Sequence, residues 1–431
     1  MGSPVKSQLR IEGHVAPGFE SVRRLYVHNM ETLAERNTQL CVYHKGERVV
    51  DLWASAVGDD QFSPDSLVNV FSSGKSLEAL ALVSLVGKGL LDDQSNISNY
   101  WPEFAASGKG ELKVVDLMRH ETGLAAFNTP IPPEDLHTSN IKQNRVGHVI
   151  ENHPPAFPKP PASRREYHSI TRGWIANELF RRVEPNGRTI GEFLRDDISG
   201  PLEVDAMIGV PEESLGRVTP VVPLGFLFLF FESLKPRFLG RRMERNVFQI
   251  IGRLFRILAG ARNATTKNLP VPFKGWTGVG FFNDRSVVMG ETPSVNANCT
   301  ARGLAKIAAM LSGGGSWQGR EYLSAEAWDA LHADPLFAEM SIMPTVFSQG
   351  GVNEFIDVGE KGSVLGRALN SGREGFFGWM GLGGSIFQWH PSHDIGFGYV
   401  PTSLNVLDIL NERGKEYQRE VLRCVDQLSA K

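Results

Sequence analysis

Two β-hairpin signals sit at opposite ends of the chain, and they constrain the fold more than any other feature. Leu40-Cys41-Val42-Tyr43-His44 and Arg48-Val49-Val50-Asp51-Leu52-Trp53 flank the turn Lys45-Gly46-Glu47. Ser385-Ile386-Phe387-Gln388-Trp389 and Ile395-Gly396-Phe397-Gly398-Tyr399-Val400 flank Pro391-Ser392-His393-Asp394. β-Branched and aromatic runs around such turns read as paired strands, and a lone hairpin is marginal in water. The economical solution is one sheet shared by both ends. Helical patterns adjoin both hairpins, at 21–37 and at 405–428, the second carried by Leu407, Leu410, Tyr417, Val421, Cys424 and Leu428. The long middle is mainly helical. The expected fold is therefore α/β (α+β): an antiparallel sheet built from both chain ends, flanked by helices, with an inserted mainly helical lobe. Residues 1–75 with 346–431 are expected to form the sheet lobe, and 76–345 the helical lobe, including an insertion at about 218–262. A cleft between two such lobes is the expected site.

Bulk properties exclude several classes. With 431 residues, 41% hydrophobic and 22% charged, the chain is long enough for a large core. A net charge of −3 makes no case for nucleic-acid binding. Cys41, Cys299 and Cys424 are odd in number and far apart. No disulfide framework follows, and a reducing, cytoplasmic location is the expectation. The first residues contain no apolar core of a secretory signal. The most hydrophobic stretch, 218–231, is shorter than the roughly 20 residues that span a bilayer, and Pro220 and Pro223 interrupt it. No transmembrane span is expected.

The chemistry concentrates at Val70-Phe71-Ser72-Ser73-Gly74-Lys75, which joins a β-like run at 67–71 to the helix-forming Ser76-Leu77-Glu78-Ala79-Leu80-Ala81-Leu82. Residues three apart on a helix share a face, so Ser72 and Lys75 present a hydroxyl beside an amine. Free N–H groups and the dipole of a helix N-terminus add partial positive charge there. That favours an alkoxide on Ser72 and a neutral amine on Lys75, as acyl transfer requires. The spacing alone is not specific, because Ser3/Lys6 and Ser139/Lys142 repeat it, and a serine at such a junction also caps helices. Tyr167, on a loop edge before the helix pattern of Ile175, Leu179 and Phe180, can present a phenol to a cleft or pack as filler. Gly375-Phe376-Phe377-Gly378-Trp379-Met380-Gly381-Leu382-Gly383-Gly384 leads into the late hairpin. Dense glycine at a strand start lets a ligand approach backbone N–H groups.

Together these pieces resemble the serine β-lactamase-like superfamily. Ser72-x-x-Lys75, Tyr167-x-Ser169 and Trp379-x-Gly381 follow its order and rough spacing. Val50-Asp51-Leu52-Trp53, Leu117-Met118-Arg119-His120-Glu121-Thr122-Gly123-Leu124 and Thr300-Ala301-Arg302-Gly303-Leu304-Ala305 look similar to further landmarks of its class C-like carboxylesterase branch and of eukaryotic β-lactamase-domain proteins. The likeness runs over roughly residues 15–425. It implies an acyl-enzyme on Ser72, with Lys75 and Tyr167 moving protons and the N–H groups of Ser72 and Leu382 holding the oxyanion. Trp379, Gly381 and Ser169 would frame the substrate. It implies no metal and no organic cofactor, and His390-x-x-His393 reads as a pair of surface histidines.

Two departures direct the substrate expectation. Ser169 stands where β-lactamases of this class carry Asn, and Trp379-Met380-Gly381 stands where they carry Lys-Thr-Gly. Losing that lysine argues against anionic β-lactams and for a small neutral ester or amide, with Trp379 as a flat apolar wall. Arg302 is the first substitute anchor for a carboxylate. The alternative is a catalytically silent scaffold of the same fold. Oligomeric state is not legible in the sequence.

One segment stands apart. Between Lys235 and Arg262 there are eight basic residues and one acidic residue, Glu244, with Val247, Ile250, Ile251, Leu254, Phe255 and Leu258 at helical spacing. Beside the Phe-rich run at 226–231, this reads either as peripheral membrane contact through 226–258 or as a lobe helix with solvated arginines and the phenylalanines in the core.

Overall fold

The computed structural model describes residues 9–157, 164–252, 255, 264–340, 343–359 and 362–430. Nine strands form one antiparallel sheet: β1 (Arg10–Val15), β2 (Asn37–His44), β3 (Glu47–Ser55), β4 (Leu336–Met340), β5 (Met343–Phe347), β6 (Asn353–Glu354), β7 (Phe377–Met380), β8 (Ile386–His390) and β9 (Ile395–Pro401). Their order is β1-β3-β2-β9-β8-β7-β6-β5-β4, so the two ends of the chain meet at β2 and β9. Leu40 pairs with Tyr399 and Val42 with Phe397 at that seam. Both terminal hairpins therefore form, and each completes the other.

Helices cover both faces. The helices used below are α1 (Glu20–Thr32), α2 (Lys75–Gly87), α3 (Thr171–Val183), α4 (Phe226–Leu234), α5 (Ala301–Ser312) and α6 (Glu412–Ser429). On one face α5 lies directly on β9, which the absence of side chains permits: a Cβ on Gly396 would stand 2.3 Å from the Ala309 nitrogen. On the other face α1 and α6 bury Phe19, Val22, Tyr26, Tyr417 and Val421 against Leu40, Val42, Phe397 and Tyr399. α6 starts at Glu412, not near 405 as its apolar period suggests. Asn405 Oδ1 accepts the Leu407 N–H at 3.2 Å, and Asn411 takes a left-handed φ of 49°. Such local amide bonds compete with helix formation.

α2 is apolar on every side and buried from Lys75 to Leu85, the pattern of a helix enclosed by a core. α3 and the helix Ala325–His332 pack against it within the larger of the two main hydrophobic clusters. A small three-stranded sheet, Val68–Asn69 and Ala206–Met207 on either side of Asn298–Cys299, holds the segment that leads into α2.

Two sequence readings change. His390 is buried and packs its ring on Phe376, not at the surface; burial pushes its imidazole down to about 4. The Phe-rich run is not in the core. Leu229 docks with Met243 and Ile250, while Phe226 is 75% exposed and Phe231 60% exposed. Phe226–Phe231 are apolar throughout, so these six residues offer no polar stripe from which to read the side that docks. Among the described residues, no helix is long and apolar enough to cross a membrane. Arg253, Leu254, Arg256, Leu258 and Arg262 lie outside the described residues.

Candidate active site

The strand Val68–Asn69 ends in a tight turn, Phe71–Gly74, that runs straight into α2. Asn69 shapes it by accepting the Phe71 N–H on its side-chain oxygen at 2.7 Å. Phe71 then adopts φ 47°, a left-handed conformation that is costly for an aromatic residue. Strain of about 1–3 kcal/mol persists only where the surroundings enforce it. Here the Phe71 ring packs edge-on against Phe282, 5.3 Å between centroids. Gly74 fits under Ala297, where a Cβ would meet the Ala297 methyl at 2.9 Å. The result leaves Ser72 half-buried at the head of the helix.

Lys75 lies wholly inside. Its amine donates to the carbonyl oxygens of Ser169 at 2.7 Å and Ser294 at 3.0 Å. Burial and the nearby Arg172 guanidinium hold its pKa well below that of an ordinary lysine, with Glu78 opposing. The amine sits 4.9 Å from the centre of the Tyr167 ring. The Tyr167 hydroxyl accepts the indole N–H of Trp379 at 3.0 Å, with the Ser72 hydroxyl beside it. Burial raises the phenol's pKa, whereas Ser72, Trp379 and Arg172 pull it down.

Each predicted position has a definite place. Trp379 is buried, on β7, with its ring against Phe347 and Tyr167, so its contact is with the tyrosine rather than an open wall. Gly381 follows it and presses on the serine turn, where any Cβ would lie 2.3 Å from the Val70 oxygen. Only glycine lets the two segments approach this closely. Leu382 opens the next turn and is 39% exposed. That turn is pinned from beneath: Asn411 Nδ2 donates to the carbonyls of Gly381 and Ser385 at 3.1 and 2.7 Å, and Arg413 to that of Gly383. Neither the Ser72 nor the Leu382 N–H meets a backbone carbonyl among the described residues. Ser169 contributes its carbonyl to Lys75, while the residue itself is exposed. Arg302 stands apart from this cluster in its pairing, held by Asp51 at 2.9 Å.

Sequence reasoning missed the layer beneath. Arg172 on α3 is fully buried and donates to Glu78 at 2.7 Å, to the carbonyls of Met118 and Gly351, and to the Lys75 carbonyl at 3.1 Å. Ser294 Oγ donates to the other Glu78 oxygen at 2.6 Å. One ion pair thus fixes α2, α3 and the Ser294 loop that receives the Lys75 amine. The available signal was Glu78 itself, a lone carboxylate in an apolar helix. His120 and His168 brace the tyrosine loop. His168 Nδ1 donates to the Glu166 carbonyl at 2.6 Å, so its Nε2 accepts from Thr122 and the Leu124 N–H. His168 N–H donates to His120 Nδ1, and the His120 ring lies 5.1 Å from that of Tyr167. Burial pulls His168 down to about 3, so both roles are those of a neutral ring. Among the described residues, no group of three or more His, Cys, Asp or Glu side chains could hold a metal ion.

Known proteins carry the same arrangement of the chain. The Beta-lactamase family model matches residues 22–413. Esterase/beta-lactamase LipL of Mycobacterium tuberculosis (strain ATCC 25618 / H37Rv) is 26% identical over 402 residues, covering 92% of this chain and 83% of that protein. A family VIII carboxylesterase superposes with a TM-score of 0.73 at 23% identity, covering 96% of this chain and all (100%) of that one. A penicillin-binding protein homologue from Caulobacter crescentus gives 0.72 at 24% identity, with coverage of 96% and 100%. At these identities the two structures speak for the fold, and the family match, which spans most of the chain, speaks for descent. The chain belongs to the beta-lactamase family of serine hydrolases.

Proposed function

We propose that this protein is a carboxylesterase-like hydrolase that cleaves small, neutral esters or amides through an acyl-enzyme on Ser72. The supporting observation is the company Lys75 keeps. A neutral amine has two N–H bonds and one lone pair; the carbonyls of Ser169 and Ser294 take the two N–H bonds, which leaves the lone pair to receive a proton. As Ser72 Oγ bonds to the substrate carbonyl carbon, its proton passes through the Tyr167 hydroxyl to Lys75 Nζ. The carbonyl π pair moves onto oxygen, and the N–H groups of Ser72 and Leu382 receive the negative charge. Re-forming C=O breaks the bond to the leaving group, which takes its proton back through Tyr167. Water then repeats the cycle on the acyl-enzyme, with Tyr167 as base.

Neutral substrates follow from the charges around the serine. Where a lysine would offer a cation, the Trp379 indole offers only a neutral N–H, already given to Tyr167. Arg172 is committed to Glu78 and Arg302 to Asp51. A series of p-nitrophenyl esters of rising acyl length beside a chromogenic cephalosporin, with Ser72→Ala as control, tests this. The expected result is higher kcat/KM for neutral, moderately apolar esters. A better rate with the cephalosporin would overturn the substrate class, and turnover by none of them would favour the silent scaffold.

A further inference from the structure

Leu224 and Thr265, which lie on either side of α4 and its basic neighbours in the chain, are each tied to a wall of the Ser72 cleft. The Leu224 N–H donates to the Leu404 carbonyl at 2.9 Å. Leu404 packs on Gly383, where a Cβ would meet its Cδ2 at 2.3 Å, one residue beyond Leu382. Thr265 ties its N–H and hydroxyl to the Glu166 carboxylate at 2.8 and 2.7 Å, one residue before Tyr167. The two anchors therefore lie next to the Leu382 turn and the Tyr167 loop.

The helix between these anchors is built inside out. On α4 the positions Phe226, Leu227, Phe230, Phe231 and Leu234 are exposed and form one continuous apolar stripe. Beneath it, Glu232 and Ser233 are buried: Glu232 accepts the Arg242 N–H at 2.9 Å, and Ser233 Oγ donates to the Phe230 carbonyl at 2.7 Å. Phe238, 87% exposed, extends the apolar surface past the helix end. A contiguous apolar patch of this kind marks an interaction site.

Charge selects the partner. The stretch between Lys235 and Arg262 carries eight basic residues against one acidic, in a chain whose net charge is −3. Lys235 and Arg245 are paired with Glu232 and Glu412. Among the described residues, the guanidinium groups of Arg237, Arg241 and Arg242 have no carboxylate in ion-pair contact; Arg241 and Arg242 donate to backbone carbonyls. Exposed aromatic side chains next to unpaired arginines suit an interface that is apolar below and anionic at its surface. We infer that α4 and the arginines at 237–242 dock on an anionic phospholipid bilayer, with α4 lying in the headgroup plane and the Ser72 cleft facing the lipid. Phe and Leu side chains enter the acyl boundary while arginines meet phosphates, as amphipathic interfacial helices do.

Co-sedimentation of the full chain with phosphatidylcholine–phosphatidylserine vesicles tests this without reference to catalysis. Wild type and Ser72→Ala are expected to pellet equally with these vesicles and far less with phosphatidylcholine alone, and binding should weaken with added salt. Arg237→Gln should lower the affinity about five-fold. The double variant Phe226→Ser/Phe231→Ser should lower it more than ten-fold, at least roughly, by removing the inserted area. Circular dichroism spectra and thermal midpoints that match wild type show that both variants fold. Equal vesicle binding by wild type and the double variant would overturn the inference, as would no binding to anionic vesicles. A concentration-dependent dimer that the double variant dissolves, without vesicle binding, would assign the face to a second copy instead.

Discussion

Around Lys75 the protein buries an amine, a guanidinium and a carboxylate together; along α4 it leaves four aromatic and aliphatic side chains of the first six residues in solvent and tucks a carboxylate beneath them. Both regions invert the ordinary rule that charge goes out and carbon goes in. They differ in what makes the inversion stable. Near Ser72 every buried charge has a named partner: Arg172 with Glu78, Glu78 with Ser294, Lys75 with two carbonyls. On α4 the exposed stripe has no partner within the described chain. Inside, an inverted arrangement that is fully satisfied defines a reaction site. Outside, one left open defines a surface waiting for something.

The sharpest break in this comparison comes from Lys75. Lys75→Arg keeps a cation-forming side chain and most of the length but removes the base, because arginine does not give up its proton. The expected loss in kcat/KM is on the order of 10³ or more. Tyr167→Phe is expected to fall within about 10²–10⁴ with the fold intact by circular dichroism. Near-wild-type acylation by either variant would remove that residue from the proton path.

A smaller effect sharpens the role of Trp379. Trp379→Phe deletes only the N–H given to the Tyr167 oxygen. About a ten-fold fall in kcat/KM is expected, with KM little changed, because the bond strengthens as charge builds on the phenol. If KM rises while kcat holds, the ring contacts substrate instead.

Stability gives the pH test. Folded Lys75 is neutral well below its ordinary range, whereas the unfolded chain binds a proton there below about 10.4. The unfolded state therefore gains stability as pH falls from that value towards the folded pKa. Lys75→Met lacks this penalty, so its stability relative to wild type should be greatest at lower pH and shrink as pH approaches 10. Denaturant midpoints measured across that window check the sign. A difference independent of pH would mean that Lys75 is charged in the folded protein.

The smallest expected effect separates the two regions. Phe226→Ser and Arg237→Gln should leave kcat/KM on a water-soluble ester within about two-fold of wild type, since neither side chain supports the buried network. A larger loss would couple α4 directly to the serine turn.

Much of this was legible in the sequence where local patterns carry the information. Both hairpins, the junction at Ser72 and the approach of Trp379-Met380-Gly381 to a strand are signalled by short-range residue choice. The strands β4 and β5 were not, because Pro344 and the methionines at 340 and 343 obscure any alternation. Nor was the Arg172–Glu78 pair, whose members lie 94 positions apart. The direction in which α4 faces was hidden for a different reason: Phe226–Phe231 are apolar throughout, so packing decides which of them dock. Trp379 could be placed at the site but not oriented. Its indole N–H goes to Tyr167 while its ring packs tilted against Phe347.

The central claim is that the buried lysine and its tyrosine make Ser72 the group that carries the acyl chain. Incubation with a fluorophosphonate, followed by intact mass and peptide mapping, tests it most directly. One adduct per chain is expected, on the peptide containing Ser72. It should be absent from Ser72→Ala and slowed on the order of 10³-fold in Lys75→Arg. An adduct of equal yield in Ser72→Ala, or one mapped to any other residue, would contradict the account.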